Sequence, residues 1–220
     1  MFNKEKIVIF DWGGIVESHF EGEYDYHAAK IDIINRLNEQ TKLIDKNAII
    51  KKWDECNCDE NSKYISEVNS EEDIQKWFER VKLKFDLECS YEQFYEVYQE
   101  ESQKIVYYKN VVDFAHSLKD KCKIGILSNL APIDKERIDN HYNLSKFDYV
   151  WLSFELNCRK PNEKIYSIVE EELNIPKENI LFIDDLTENI NVAKKRGWNT
   201  CLATGLELDK IKESVYEFLD

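Results

Sequence analysis

Four short stretches of this 220-residue chain carry side chains that do chemistry. Asp11 follows the apolar run Ile7-Val8-Ile9-Phe10, and Ser128-Asn129 follow Ile124-Gly125-Ile126-Leu127. Asp184-Asp185 follow Ile180-Leu181-Phe182-Ile183, and Lys160-Pro161 lie downstream of Tyr149-Val150-Trp151-Leu152. Each residue type has a part in phosphoryl transfer. An Asp carboxylate attacks phosphorus to give an aspartyl phosphate, splitting one hard step into two. Magnesium takes hard oxygen ligands, commonly one or two carboxylates with the substrate phosphate, and offsets the repulsion between an attacking carboxylate and a dianion. A hydroxyl, a backbone N–H and a lysine then hold the equatorial oxygens, where transition-state charge is spread.

Such residues must be positioned by their elements. Short apolar runs without alternation fit strands buried on both faces of a parallel sheet, as at 7–10, 124–127 and 180–183. Residues 149–152 and 198–203 are weaker strand candidates. Helical patterns fall between them at 133–142, 162–173 and 187–196. Pro161 is read at a first helical turn and Gly197 just past a helix end. Strand alternating with helix predicts an α/β fold with a mainly parallel sheet, and ligands of such sheets bind at the carboxyl ends of the strands. The four stretches belong there.

Residues 17–108 differ. They are rich in Glu, Lys, Tyr and Trp and contain no buried strand pattern. Ser70-x-x-Asp73 is a weak helix start and Ser90-x-x-Gln93 a proper capping box. Helical apolar spacing follows each, through Ile74, Trp77, Phe78 and Val81, and through Phe94, Val97 and Tyr98. The expected architecture is a Rossmann-like parallel-sheet core, 1–16 and 109–220, with an inserted α-helical cap, 17–108.

The formal net charge of -14 excludes nucleic acid and anionic lipid as partners, because both need clustered Lys and Arg. An acidic protein handling an anionic substrate must create positive potential locally, from a metal, a lysine or backbone N–H groups. No run approaches the roughly 18–20 apolar residues of a bilayer span, and the first residues lack a signal-peptide pattern. The six cysteines are scattered, and Cys56-Asn57-Cys58 is too tight for usual zinc spacing. Free thiols and a cytoplasmic location are expected.

In order, Ile9-Phe10-Asp11-Trp12-Gly13-Gly14-Ile15-Val16, Ile126-Leu127-Ser128-Asn129, Arg159-Lys160-Pro161 and Phe182-Ile183-Asp184-Asp185 with Asn189 resemble the four motifs of the haloacid dehalogenase superfamily. The insertion resembles that family's helical C1 cap. The resemblance implies Asp11 as nucleophile and magnesium ligand, with the Gly13 carbonyl and Asp185 as further ligands. Asp184 would sit beside them, ligating directly or through water. It implies Ser128 and the Asn129 backbone on the phosphoryl group, Lys160 neutralising it, and Asn189 ordering the loop after the acidic pair. Response-regulator receiver domains use similar residues but carry their acidic pair on the first strand; here the pair comes last. The implied protein is a Mg2+-dependent phosphatase of small phosphomonoesters, sugar phosphates first, acting as monomer or homodimer.

One position departs from the family. Most of its phosphatases carry a second Asp two residues after the nucleophile, which protonates the leaving group and then activates water; this chain has Gly13. A positioned acid/base contributes about 10²–10⁴-fold in rate. Three readings stay open. A subgroup similar to bacterial α-glucose-1-phosphatase also has Gly there, using a good leaving group or a group borrowed from the cap hinge such as Glu17 or His19. True haloacid dehalogenases lack that Asp too, but work without metal and lack the acidic pair. A phosphoryl-binding or regulatory protein with little turnover is the third. Trp12, beside the nucleophile, either lines the pocket or packs under it.

Overall fold

The computed structural model describes residues 5–18, 28–38, 40, 44–56, 71–102, 104–130, 138 and 142–220. The chain divides into two compact units, Met1–Ser18 with Tyr107–Asp220, and His19–Val106.

The first unit is built on five strands: β1 (Ile7–Phe10), β4 (Lys123–Ser128), β5 (Tyr149–Leu152), β6 (Ile180–Asp184) and β7 (Asn199–Leu202), in the order β5-β4-β1-β6-β7. All four pairings are parallel. Every residue of β1 and β6 is buried, and all but Asp184 at the end of β6 are apolar, because helices cover both faces of the sheet. Val8, Phe10, Ile124, Ile126, Leu181 and Ile183 share one core with α5 (Lys109–Ser117) and α9 (Leu208–Leu219). Ile7, Ile9, Leu127, Ile180 and Phe182 share the other with α7 (Glu163–Leu173) and α8 (Thr187–Lys195). The split follows from the alternation of side chains along a strand.

Helix boundaries correct one expectation. Pro161 is not in a helical first turn; it precedes α7, and the Asn162 side chain caps that helix by accepting the Lys164 N–H at 2.9 Å. Lys160-Pro161 is a cis peptide. Gly197, with φ 93°, stands just beyond the end of α8 as its left-handed backbone requires. A short helix, α6 (Ser153–Leu156), follows β5 where no helix was expected. The pattern at 133–142 falls almost wholly outside the described residues.

The described residues of the second unit form α1 (Ala28–Leu37), α2 (Lys46–Cys56), α3 (Glu71–Phe85) and α4 (Tyr91–Ser102). Ile31, Ile34, Trp53, Phe78, Val81 and Phe94 meet in its core. Trp77 lies edge-on to Trp53 and Phe94, with centroids 5.2 and 5.6 Å away. The capping box at α4 closes reciprocally: Ser90 N–H donates to Gln93 Oε1 at 2.9 Å, and Gln93 N–H to Ser90 Oγ at 3.3 Å. Buried Glu101 takes Arg36 at 2.7 Å and Lys104 at 2.6 Å, tying α4 to α1.

Two two-residue strands, β2 (Glu17–Ser18) and β3 (Val106–Tyr107), pair as a ribbon, and Tyr108 N–H donates to Val16 O at 2.7 Å. Ser18 and Tyr107 fall in the first unit, and Val106 in the second. Cys89, Cys122, Cys158 and Cys201 are buried free thiols, and buried Cys56 donates from Sγ to Lys52 O at 3.2 Å; burial pushes Cys122 up to about 11. Among the described residues no helix is long and apolar enough to cross a membrane.

Candidate active site

Asp11 N–H still donates to Ile183 O at 2.8 Å, so this residue is fixed against β6 before the chain turns. The turn is tight: Val16 N–H reaches Trp12 O at 2.8 Å and Gly14 N–H reaches Glu17 O at 2.9 Å. Gly14 has φ 76°, a conformation open chiefly to glycine. Asp11 Oδ1 accepts the Trp12 N–H at 2.6 Å and lies 3.0 Å from Lys160 Nζ. Among the described residues no hydrogen-bond donor reaches Oδ2.

Asp184 is different. Its Oδ1 accepts from Leu186 N–H at 2.8 Å and Asn189 Nδ2 at 3.0 Å; its Oδ2 accepts from Lys160 Nζ at 2.7 Å and Asn189 Nδ2 at 3.0 Å. Both oxygens are occupied, so this carboxylate orders the lysine and the start of α8. Asn189 is held in turn by Tyr166, whose hydroxyl donates to its carbonyl at 3.1 Å. Asp185 is half-buried beside it, and Asp11, Asp184 and Asp185 each bring one carboxylate oxygen within 4.8 Å of the others.

Lys160 is 1% exposed, its ammonium between Asp11 and Asp184 and 5.1 Å above the Phe182 ring. Asn129 fixes it with a reciprocal pair. The Asn129 amide donates to Lys160 O and its Oδ1 accepts the Lys160 N–H, both at 2.9 Å. Ser128 is buried at the end of β4, and two residues on, Ser153 Oγ braces Leu130, accepting its N–H and donating to its carbonyl at 3.1 Å each.

Burial pushes the Asp11 carboxyl well above its ordinary range; Lys160 opposes this, and Asp184 and Asp185 reinforce it. Burial alone would lower the Lys160 ammonium, but the carboxylates of Asp11 and Asp184 outweigh it and hold the group above its usual value. Two carboxylates thus share one lysine, with Asp185 a third acidic group beside them. A cluster of hard oxygen donors with excess negative charge fits a small divalent cation such as magnesium.

The remaining candidates separate. Trp12 packs under the site, not into it: it is fully buried, and its Nε1 donates to Glu17 Oε2 at 2.7 Å. Glu17 is correspondingly buried, and Gly13 forms an isolated bridge with it. His19 lies outside the described residues, as do His27 and His141. Sequence reasoning missed Gly205. Its N–H donates to Gly14 O at 2.8 Å, and a Cβ there would fall 2.2 Å from Tyr108 Cδ2 and 2.3 Å from Ile15 O. The loop after β7 therefore rests directly on the turn that follows Asp11.

The parallel sheet with a carboxylate cluster at its strand ends defines a hydrolase-type site of the α/β class. Residues 54–203 match the family of haloacid dehalogenase-like hydrolases, and the chain belongs to that family. The matched stretch includes Ser128, Lys160, Asp184 and Asp185; Asp11 precedes it. Two curated relatives are (S)-2-haloacid dehalogenases, from Pseudomonas putida at 27% identity over 96 residues and Pseudomonas fluorescens at 28% over 79. Those alignments span 43% and 36% of this chain, and only 42% and 35% of the relatives' length. Among solved structures, a haloacid dehalogenase family enzyme from Bacteroides thetaiotaomicron superposes with TM-score 0.67 at 19% identity, covering 90% of this chain and 93% of that one. The same enzyme in complex with magnesium and inorganic phosphate gives 0.60, at 18% identity over 89% and 92%. A predicted haloacid dehalogenase-like hydrolase from Porphyromonas gingivalis gives 0.65, at 18% identity over 96% and 97%. These structures share the fold.

Proposed function

We propose that the chain is a magnesium-dependent phosphatase of small phosphomonoesters, sugar phosphates foremost, working through an aspartyl phosphate on Asp11. The observation that carries this reading is the carboxylate trio with a single lysine. Such a site is built to take up a cation. Asp11, Asp185 and the Gly13 carbonyl would hold the ion, which when bound supplies positive charge against the repulsion between carboxylate and phosphate dianion. Asp11 Oδ2 attacks phosphorus. Lys160 and Ser128 hold the equatorial oxygens, and Asp184 with Asn129 keeps Lys160 oriented. The Bacteroides neighbour crystallised with magnesium and inorganic phosphate supports the reading.

A second reading, a metal-independent 2-haloacid dehalogenase, is favoured by the names of the curated relatives. The acidic trio speaks against it, because an attack on carbon bearing a halide needs no cation. A binding or regulatory protein with little turnover, caused by Gly13, is the third. One panel separates them: phosphomonoesters including sugar 1-phosphates, and a 2-haloacid, each with magnesium and with chelator, for wild type and Asp11→Asn. Magnesium-dependent phosphate release, lost in the variant, is expected. Halide release that survives chelation would replace the phosphatase reading, and tight phosphoester binding without turnover would leave the regulatory one.

A further inference from the structure

Between Asp11 and Glu17 every residue is buried except Gly13, which is half-buried. A backbone carbonyl has no rotor of its own, and its direction is that of its peptide unit. The Gly13–Gly14 unit is trans and planar, so the Gly13 C=O and the Gly14 N–H point in opposite directions. That N–H donates to Glu17 O at 2.9 Å. Fixing Glu17 therefore fixes the aim of the Gly13 carbonyl. Glu17 N–H also donates to Trp12 O at 3.2 Å, holding the preceding peptide, and Gly205 N–H donates to Gly14 O at 2.8 Å, holding the following one. Glu17 itself is tied by its side chain. Its Oε2 accepts the Trp12 indole N–H at 2.7 Å, a charge-assisted bond between two buried groups. The indole is seated in turn, fully buried and edge-on to Tyr142 with ring centroids 5.9 Å apart.

Resting on the phosphatase reading, in which the Gly13 carbonyl is a magnesium ligand, we propose that Glu17 is a positioning residue for that cation. It acts through its bond to Trp12, which holds Glu17 O against the Gly14 N–H and so keeps the Gly13 carbonyl on its line. Magnesium demands near-ideal octahedral geometry, whereas calcium accepts more oxygen ligands in looser arrangements. A carbonyl released from its aim thus weakens magnesium more than calcium. Groups that orient a ligand without touching the metal typically contribute about 10–100-fold in affinity.

The test is calorimetric titration of the full chain, first stripped with chelator, with magnesium and separately with calcium. Trp12→Phe keeps the ring and the Glu17 charge but removes the N–H. Glu17→Met removes the acceptor, and Glu17→Gln removes the charge while keeping an acceptor. Trp12→Phe and Glu17→Met are expected to bind magnesium at least about 10-fold more weakly than wild type, with a smaller loss for calcium. Glu17→Gln is expected to recover most of that loss. If Glu17→Met does not fold, Trp12→Phe against Glu17→Gln carries the test. Magnesium affinity unchanged in Trp12→Phe, whatever its Tm, or a loss equal for calcium, overturns the proposal. So does Glu17→Gln binding as weakly as Trp12→Phe, since charge would then be the cause. Each of these outcomes leaves the phosphatase reading standing, whereas a wild type that takes up no magnesium overturns both.

Discussion

Lys160→Met keeps the apolar stem over the Phe182 ring and removes the ammonium. Lys160 is 1% exposed and Asp184 0%, so two carboxylates at 3.0 and 2.7 Å lose their counter-charge with no solvent to replace it. Removing one partner of a buried pair costs about 3–5 kcal/mol, whereas the change in packing volume costs under about 1.5 kcal/mol. The metal-free variant is therefore expected to lose about 3–5 kcal/mol at neutral pH, a large share of a domain's usual stability of about 5–15 kcal/mol. The pH dependence has a definite sign. Asp11 already sits well above the ordinary carboxylate value, and without Lys160 it is pushed further. A group whose folded pKa is raised costs nothing when protonated and costs progressively more as pH rises through that value. The deficit should therefore shrink as pH falls towards about 4, and magnesium should restore part of it at neutrality. Urea unfolding of both proteins across that range reads the difference. A deficit under about 1 kcal/mol, or one that grows on acidification, would refute the premise that this lysine is the main counter-charge.

Three further outcomes follow from the same geometry. In chelated protein, magnesium at about 100 times its Kd should add about 2.7 kcal/mol, read as a higher Tm; Asp185→Asn should lose that shift, and equal shifts would remove Asp185 from the metal site. Metal-free wild type should gain stability on mild acidification from neutrality, because the raised Asp11 pKa makes its charged form the unfavourable one. Thermal melts of wild type and Asp11→Asn check this, since the variant should show little of that dependence. Gly205→Ala forces a methyl to within 2.2 Å of the Tyr108 ring and 2.3 Å of Ile15 O, an overpacking that costs about 1–3 kcal/mol; an unchanged Tm would mean the loop simply moves aside.

Much of the sheet was legible because its strands are buried on both faces and so read as unbroken apolar runs. Asp11, Ser128 and the acidic pair were legible for the same reason, each closing such a run. What escaped has no local period. Asn129 grips the backbone of Lys160 from another loop, and Gly205 meets Gly14 from the far end of the chain. For the pair Asp184-Asp185 the sequence offered Asp185 as a ligand and left Asp184 beside it, ligating directly or through water. Asp184 closes β6 and meets Lys160 and Asn189 inside, while Asp185 follows the strand end and stays half-buried. Pro161 was misplaced because proline suits both a first turn and the loop before it; Asn162 supplied the cap that decided the boundary. α6, at four residues, is too short to show a helical period.

The position of β1 has a consequence for how the molecule is made. Ile7 lies opposite Lys123 on one side and Ile180 on the other, so an entirely apolar strand leaves the ribosome long before either partner exists. At about 5–20 residues per second its first neighbour arrives roughly 10 s later. Helices α1–α4 pack on one another and are all synthesised within that interval. Nascent chains arrested before residue 123 are thus expected to protect those helices from protease while β1 stays open to cleavage. Asp11 is translated ahead of Ser128, Lys160 and Asp184, and its backbone bond to Ile183 forms only when β6 joins the sheet.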